Sequence, residues 1–372
     1  MTLEITNECN LRCKYCSHFS SAGDVPADLP LQEWLQFIAE MGRLSVMRVT
    51  LSGGEPFFRQ DLPDLIQAIA RNRMRFSILS NGTLIDDERA ALIVSTGRCD
   101  YVQVSIDGSI PITHDSFRGQ GSFRKAINGL RTLQRHGVPA TVRVTIHRKN
   151  VRELEDIARL LLEEIGLPSF STNSACFMGL CRKNTEMVQL TTEERSLAMQ
   201  TLLDLHAKYN GRIGAAAGPL AEGQWWLEMV KARREGIPPQ RPGGRLLGCG
   251  GPLKELTVRA DGVIVPCGQL PHIELGHINQ DDLRQIWLEH PELIALRQRR
   301  LISLTEFAYC DGCEYIDYCT GNCPALAYTL LGRTDHPSPD SCLKRFLEEG
   351  GRLPERVPTP ALPSQETPQP GA

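Results

Sequence analysis

The sequence predicts an α/β fold: a partial barrel of six βα units, (β/α)6, followed by a smaller cysteine-rich domain. Three observations lead there. Six short β-rich runs alternate with helix-like stretches through the first half, the pattern of a parallel sheet with crossover helices. Six units are too few for a closed eight-stranded barrel, so the sheet stays open, with its site at the strand C-termini. Ten of the 13 cysteines fall into two spaced sets, one near each end of the chain.

The elements follow in order. The first strand is LEIT, at residues 3–6. MRVTL (47–51) is the second, followed by Gly53 and Gly54 and a helical stretch, DLPDLIQAIARN. FSILS (76–80) is the third, with Asn81-Gly82 as its turn. YVQVSID (101–107) alternates apolar and polar residues, and a helical pattern over 122–136 follows. ATVRVTI (140–146) leads into an amphipathic helix through Glu164, and SFSTNSACF (169–177) is the sixth strand.

A further helix starts near Thr191, where Thr191 and Glu194 form a capping-box pair. The rhythm then changes. Residues 232–250, rich in Pro, Gly and Arg, read as an irregular bridge. Asp261-Gly262 between two β-rich runs predicts a two-residue hairpin. A helix over 281–298 follows, and then loop-like sequence, GCEYIDYCTGNCP, which metal would have to hold together. From Pro354 the chain is proline-rich and poor in large apolar residues, the composition of a disordered tail. The expected domains are therefore 1–205 for the barrel, 206–248 for a bridge, 249–350 for the cysteine-rich domain and 351–372 for the tail.

Composition excludes several classes. Hydrophobic content of 41%, charged content of 23% and a net charge of −3 describe an ordinary globular chain without a nucleic-acid surface. No run of about 18 apolar residues marks a membrane span. MTLEITNECN carries no basic segment ahead of an apolar one, so no signal peptide is expected and the location expected is cytoplasmic. In that setting reduced, metal-binding thiols explain the cysteines better than disulfides.

The first set, Cys9, Cys13 and Cys16, reads CNLRCKYC. Three thiolates can hold a cubane iron–sulfur cluster and leave one iron open. Zinc is the rival, since C-x2-C pairs are its usual ligands, but no fourth Cys or His follows Cys16 in zinc-finger spacing. The second set is Cys249, Cys267, Cys310, Cys313, Cys319, Cys323 and Cys342.

CNLRCKYC followed by SGGEP at 52–56 resembles the radical S-adenosylmethionine (radical SAM) superfamily, whose barrel is TIM-like. The later cysteines resemble the SPASM iron–sulfur pattern, with Gly262 between Cys249 and Cys267 and a 2-5-3 spacing over Cys310, Cys313, Cys319 and Cys323. The chain also resembles the radical SAM/SPASM members of SynChlorMet-type peptide-modification cassettes.

The resemblance implies a [4Fe–4S] cluster on Cys9, Cys13 and Cys16, with SAM on the open iron. Tyr15 would pack near the adenine, its alternative being a core aromatic. Gly53, Gly54 and Glu55 would form the motif that meets the SAM ammonium. Ser80, Asn81, Ser105 and Asp107 lie at strand ends where relatives contact SAM, and each is equally a turn residue. Arg143, or more weakly Arg118, would meet the SAM carboxylate.

Two auxiliary [4Fe–4S] clusters with crossed ligation are also implied. Cys249, Cys267 and Cys323 would hold the first, and Cys310, Cys313, Cys319 and Cys342 the second. Relatives with a complete first cluster carry a further cysteine shortly after the first ligand, and here Glu255 stands in that stretch. Of the leftover cysteines, Cys99 reads as a buried small hydrophobe, while Cys176 and Cys181 flank FMGL at the barrel rim.

The implied function is oxidative modification of a peptide or protein side chain, with a peptide substrate. The partners expected are an electron donor of flavodoxin or ferredoxin type and a separate leader-recognition protein, because ligand cysteines begin at residue 9. The alternatives are formylglycine formation, as by sulfatase maturases, and a non-catalytic multi-cluster electron carrier. Maturases place an Asp directly after the second SPASM cysteine, whereas Cys267 is followed by Gly268. A carrier needs no SGGEP.

Overall fold

In the computed structural model the described residues are 1–18, 27–238, 243–247 and 249–355. Seven parallel strands follow one another in chain order: β1 (Thr2–Thr6), β2 (Arg48–Gly53), β3 (Arg75–Ser80), β4 (Cys99–Ser105), β5 (Ala140–Ile146), β6 (Phe170–Ser174) and β7 (Ile213–Ala215). On the other side of β1, β8 (Thr257–Val258) pairs parallel to it. β9 (Val263–Val265) and β10 (Gly276–His277) continue the sheet antiparallel. The sheet has ten strands, in the order β10-β9-β8-β1-β2-β3-β4-β5-β6-β7.

Crossover helices cover one face: α1 (Leu31–Arg43), α2 (Leu62–Arg71), α3 (Asp87–Ser95), α4 (Pro111–Arg118), α5 (Ser122–Arg135) and α6 (Leu154–Arg159), which runs on as a π-helical turn over Leu160–Glu164. Two short helices, α7 (Gly179–Lys183) and α8 (Thr185–Val188), cross the barrel mouth. α9 (Thr192–Lys208) and α10 (Pro219–Glu235) pack on each other and on β7. Thr191 caps α9 with the expected box: its side chain accepts from Glu194 N, and Glu194 returns to Thr191 N.

Strand alternation sorts the two faces of the sheet. Leu3, Ile5, Val49, Leu51, Phe76, Ile78, Val102, Val104, Val142 and Val144 are buried beneath the helices. The residues between them turn to the barrel lumen and are mostly polar. Glu4 registers with Ser52, Arg143 with Ser105 and Ser171, and Thr145 with Asn173.

Several expectations need correction. The interval 206–248 is more than a bridge: it holds β7 and the 17-residue α10. A three-residue strand gives too short a pattern to be read from sequence. The expected hairpin forms between β8 and β9, but its loop has three residues, Ala260, Asp261 and Gly262, rather than two. Val258 registers with Ile264, Arg259 N donates to Val263 O at 2.9 Å, and Gly262 takes φ +89°. The hairpin extends the barrel sheet through β1. The helix expected over 281–298 breaks at His290-Pro291 into Leu283–Glu289 and Pro291–Gln298, because proline disfavours helical backbone before it.

Residues 351–355 of the expected tail are held against α9. Arg352 N donates to Ser196 Oγ at 3.0 Å and Glu355 N to Gln200 Oε1 at 3.1 Å, both on α9. Residues 356–372, the rest of that tail, lie outside the described residues, as do 239–242 and 248 of the bridge. Among the described residues no helix is long and apolar enough to cross a membrane.

Candidate active site

The cysteine triplet follows β1 directly, at the C-terminal end of the parallel sheet. Gly53 and Gly54 set its height. A Cβ on either would collide with backbone oxygens of Thr6 or Glu8, so only glycine lets the 53–55 segment lie on the chain leading to Cys9. Gly54 N then donates to Thr6 O at 2.7 Å and Glu55 N to Glu8 O at 2.8 Å. The close approach expected of these glycines is thus to the cysteine loop's own backbone. Asp28, which sequence reasoning missed, also braces this segment, accepting from Asn7 N at 2.6 Å and from Thr6 Oγ1.

Glu55 is fully buried, and its oxygens are spoken for. Oε1 accepts from Ser80 Oγ at 2.8 Å and Phe57 N at 3.2 Å, and Oε2 from Asn81 N at 2.7 Å. Burial pushes its carboxyl up to about 7, against the pull of those hydrogen bonds. Ser80 and Asn81 are thereby locked as a turn under the triplet. Asn81 Nδ2 points to Cys9 Sγ at 3.9 Å and to Asn10 Oδ1 at 2.9 Å.

Asp107 is a second buried hub. One oxygen accepts from Thr145 N at 2.7 Å, and the other is shared by Tyr15 OH and Arg118 Nε. Burial, the largest single influence, would raise this carboxyl, but the Arg118 guanidinium and its hydrogen bond, with His114 and His147, together hold Asp107 below the usual carboxylate range. Arg118 Nη1 lies 4.0 Å from Cys13 Sγ. Tyr15 is buried beside the stacked pair of Phe117 and His147, whose rings are 4.0 Å apart, with its own centroid 5.9 and 5.8 Å from theirs. Asn150, which has no motif around it, donates to the Asp107 and Thr145 carbonyls, both at 2.8 Å.

Ser105 and Arg143 face the lumen side by side, as their strand parity required. Arg143 Nε is buried without a hydrogen-bond partner, and so is Asn173 Oδ1 on β6. Glu4, also missed, faces the same lumen. Its Oε2 is 3.9 Å from His18 Nδ1, and burial raises its carboxyl to about 7. A parity signal was available for it: Glu4 alternates with Leu3 and Ile5 on β1.

The later cysteines gather into two groups. Cys310, Cys313, Cys319 and Cys342 line one cavity with Tyr309 and Ile316. Cys249, Cys267 and Cys323 lie in one another's electrostatic field, and Cys267 and Cys323 pack against Leu270, Leu296 and Ala325. Cys176 sits close enough to feel Cys323 and Cys267, whereas Cys181 is buried against Tyr15 and Phe117. Cys99 is half-buried at the start of β4. Glu255 is exposed, within electrostatic reach of Cys267. Among the described residues no group of three or more His, Cys, Asp or Glu is placed to hold a metal ion at a single point.

Comparison with known proteins agrees with this geometry. The radical SAM superfamily model matches residues 3–161, and the model of the SPASM iron–sulfur cluster-binding domain matches residues 249–314. The chain is 29% identical over 349 residues to the Fe-coproporphyrin III synthase of Methanosarcina barkeri, covering 88% of this chain and 84% of that one. It is 25% identical over 336 residues to the PqqA peptide cyclase of Ruegeria pomeroyi, covering 89% and 84%. The structure of native anSMEcpe with bound AdoMet and Kp18Cys peptide shares the fold, with a TM-score of 0.67 and 16% identity over 94% of this chain and 96% of that one. These domains imply iron–sulfur clusters and SAM binding. With its cysteine triplet at the mouth of a parallel α/β barrel and its second thiol domain, the chain is a radical SAM enzyme with a SPASM iron–sulfur domain.

Proposed function

We propose that this enzyme oxidatively modifies a side chain of a peptide or protein, using a SAM-binding [4Fe–4S] cluster on Cys9, Cys13 and Cys16 and two auxiliary clusters. The donor set fits such groups. Burial pushes the Cys9 thiol up to about 11 and Cys13 to about 12, and a bound metal would deprotonate such thiols outright. Donors already face the sulfurs: Leu11 N at 3.4 Å from Cys9 Sγ, Gly251 N at 3.3 Å from Cys249, and Gln269 N and Gly321 N at 3.4 Å from Cys267 and Cys319. When bound, the reduced cluster and SAM supply a 5′-deoxyadenosyl radical that abstracts a substrate hydrogen atom.

The chain's own residues position and protect that chemistry. Glu55 and Asp107 fix the turns and the guanidinium that flank the triplet. Cys249, Cys267 and Cys323 are assigned to one auxiliary cluster, and Cys310, Cys313, Cys319 and Cys342 to the other. Arg299 supports the first assignment. Its side chain is 5% exposed, its Nε and Nη2 have no partner, and it lies in the field of Cys323 and Cys249. A buried cation so placed calls for a negative neighbour. Glu4, facing the lumen with a carboxyl near neutral, is assigned as proton acceptor.

The observation that carries the peptide reading is the polar lumen. Ser52, Gln103, Ser105, Arg143, Ser171 and Asn173 face it through strand parity. With Ser105 and Arg143 kept for SAM, the unpartnered Asn173 Oδ1 offers an acceptor that a peptide N–H complements. The PqqA peptide cyclase relative and the peptide-bound structural neighbour support the same class. The 29% identity to an Fe-coproporphyrin III synthase favours a second reading, a tetrapyrrole substrate. A macrocycle, however, needs broad apolar walls.

The test is anaerobic reaction with SAM and dithionite, followed by mass spectrometry. Three arms contain, respectively, a candidate precursor peptide, a sulfatase peptide and iron coproporphyrin III. Loss of two hydrogens from the peptide supports the proposal, formylglycine in a sulfatase peptide would favour the maturase alternative, and change in the porphyrin alone would establish the second reading.

A further inference from the structure

We propose that a groove at the N-terminal end of the barrel is the docking surface for an acidic one-electron carrier protein. The groove has a volume of about 1220 Å³. Its walls are the α1–β2 loop, the Gly250–Leu256 stretch ahead of β8, and the exposed side of the helix Leu283–Glu289. It lies at the opposite end of the strands from the Cys9–Cys16 loop, so it is separate from the lumen mouth.

Three features define its partner. The first is charge. Arg43, Lys254 and Arg284 are exposed in the groove, and none is in an ion pair among the described residues. Arg48 adds a fourth cation, 3.4 Å from Asp100, and Glu255 is the acid among the lining residues. This basic face stands on a chain of net charge −3. The second is an apolar centre. Met47 is 80% exposed and Leu288 52% exposed, beside Trp287, so large apolar side chains face solvent inside a charged rim, as in protein-docking surfaces.

The third feature identifies electron transfer as the purpose. Gly250 and Gly251 form part of the groove wall, and Gly251 N donates to Cys249 Sγ at 3.3 Å. Neither residue has a side chain to separate a bound partner from that peptide. A Cβ on Gly251 would itself be 3.4 Å from the sulfur. One peptide unit and one hydrogen bond thus connect the groove surface to a thiol assigned to the first auxiliary cluster. The inference rests on that cluster assignment. In the transfer, the carrier loses one electron and the cluster gains one, with no bond made or broken.

The same features disfavour other occupants. A two-fold pairing of this face would set Arg43, Lys254 and Arg284 against their own copies. A substrate peptide in the groove would lie at the wrong end of the strands.

The experiment uses the anaerobic holoenzyme and a purified acidic flavodoxin. Association with oxidised flavodoxin is measured by titration calorimetry at low salt, and cluster reduction by reduced flavodoxin is followed by stopped-flow absorbance. Dithionite serves as the small-molecule control. The triple variant R43E/K254E/R284E should bind about tenfold or more weakly and be reduced by flavodoxin correspondingly slowly. Its iron content and its reduction by dithionite should match those of the unmodified enzyme. R284E alone, on an exposed helix face, should show a smaller loss in the same direction. Unchanged flavodoxin binding and reduction in a fully iron-loaded variant would overturn the proposal, as would an equal loss with dithionite or a dimer that the substitutions dissolve. Iron missing from the unmodified enzyme would instead defeat the cluster assignment on which it rests.

Discussion

The carboxylate of Glu4 lies against the backbone of Gly268: a Cβ at position 268 would stand 2.8 Å from Glu4 Oε1. Strand β1 thus supplies an acid to the space beside the residue that follows Cys267. Sulfatase maturases, by resemblance, place an Asp at that following position. Two carboxylates do not fit there together. Gly268→Asp should therefore destabilise the protein by about 1–3 kcal/mol through crowding and like charge, and Glu4→Gln in the same chain should recover part of the loss. Thermal melts of the two single variants and the double variant measure the coupling.

Glu4 also gives a pH dependence. Burial raises its carboxyl from 4.5 to about 7, with Arg259 opposing. The folded protein therefore holds a proton that the unfolded chain releases between those values. The stability from this group is full below about 4.5 and is lost as the pH rises through about 7, by at most about 3 kcal/mol. The difference in melting temperature between the unmodified protein and Glu4→Gln should change across that window and be flat above it. In turnover, Glu4→Gln should still form 5′-deoxyadenosine but yield less oxidised product, which follows if Glu4 accepts the substrate proton.

Asp107 and Arg118 act as a pair beneath the triplet. Asp107→Asn leaves the buried Arg118 charge uncompensated and frees Tyr15, a change worth about 3–5 kcal/mol where a buried pair is broken. The expected outcome is a lower melting temperature and loss of about one cluster's iron, with SPASM iron retained. Equal loss of iron from both halves would show that the pair supports the fold rather than the triplet.

Arg299 should show opposite effects in the empty and loaded proteins. Arg299→Met removes an unpartnered buried cation, so the apoprotein should be as stable as the unmodified one or more so. In the holoenzyme the same change takes a positive charge from beside Cys323 and Cys249. The reduction potential of one auxiliary cluster, followed by electron paramagnetic resonance, should then fall. A potential that does not move would separate Arg299 from the cluster.

Much of this was legible in the sequence, for physical reasons. The six long strands carry β-rich runs between helical patterns, and each formed within a few residues of its expected place. Cys9, Cys13 and Cys16, and likewise Cys310, Cys313 and Cys319, are local in sequence and so stay together on folding, whereas Cys249, Cys267 and Cys323 meet only through the fold. What stayed hidden depends on long-range contact. β7 is three residues long and gains its place from β6 and α10. Nothing near Asp107 in sequence says that its carboxylate reaches Tyr15, Arg118 and Thr145, which are separated from it by up to 92 residues. Glu55 likewise reads as a ligand contact, while its fully buried oxygens hold Ser80 and Asn81. Arg299 carries no motif at all.

The most direct test of the central claim is SAM cleavage by the anaerobically purified enzyme. With dithionite and SAM, chromatography should detect 5′-deoxyadenosine, and the protein should hold roughly twelve irons with matching sulfide, as three cubane clusters require. The C9A/C13A/C16A variant should form no 5′-deoxyadenosine while keeping roughly eight irons on its SPASM thiols. Undiminished 5′-deoxyadenosine from that variant would contradict the assignment of the radical site to this triplet.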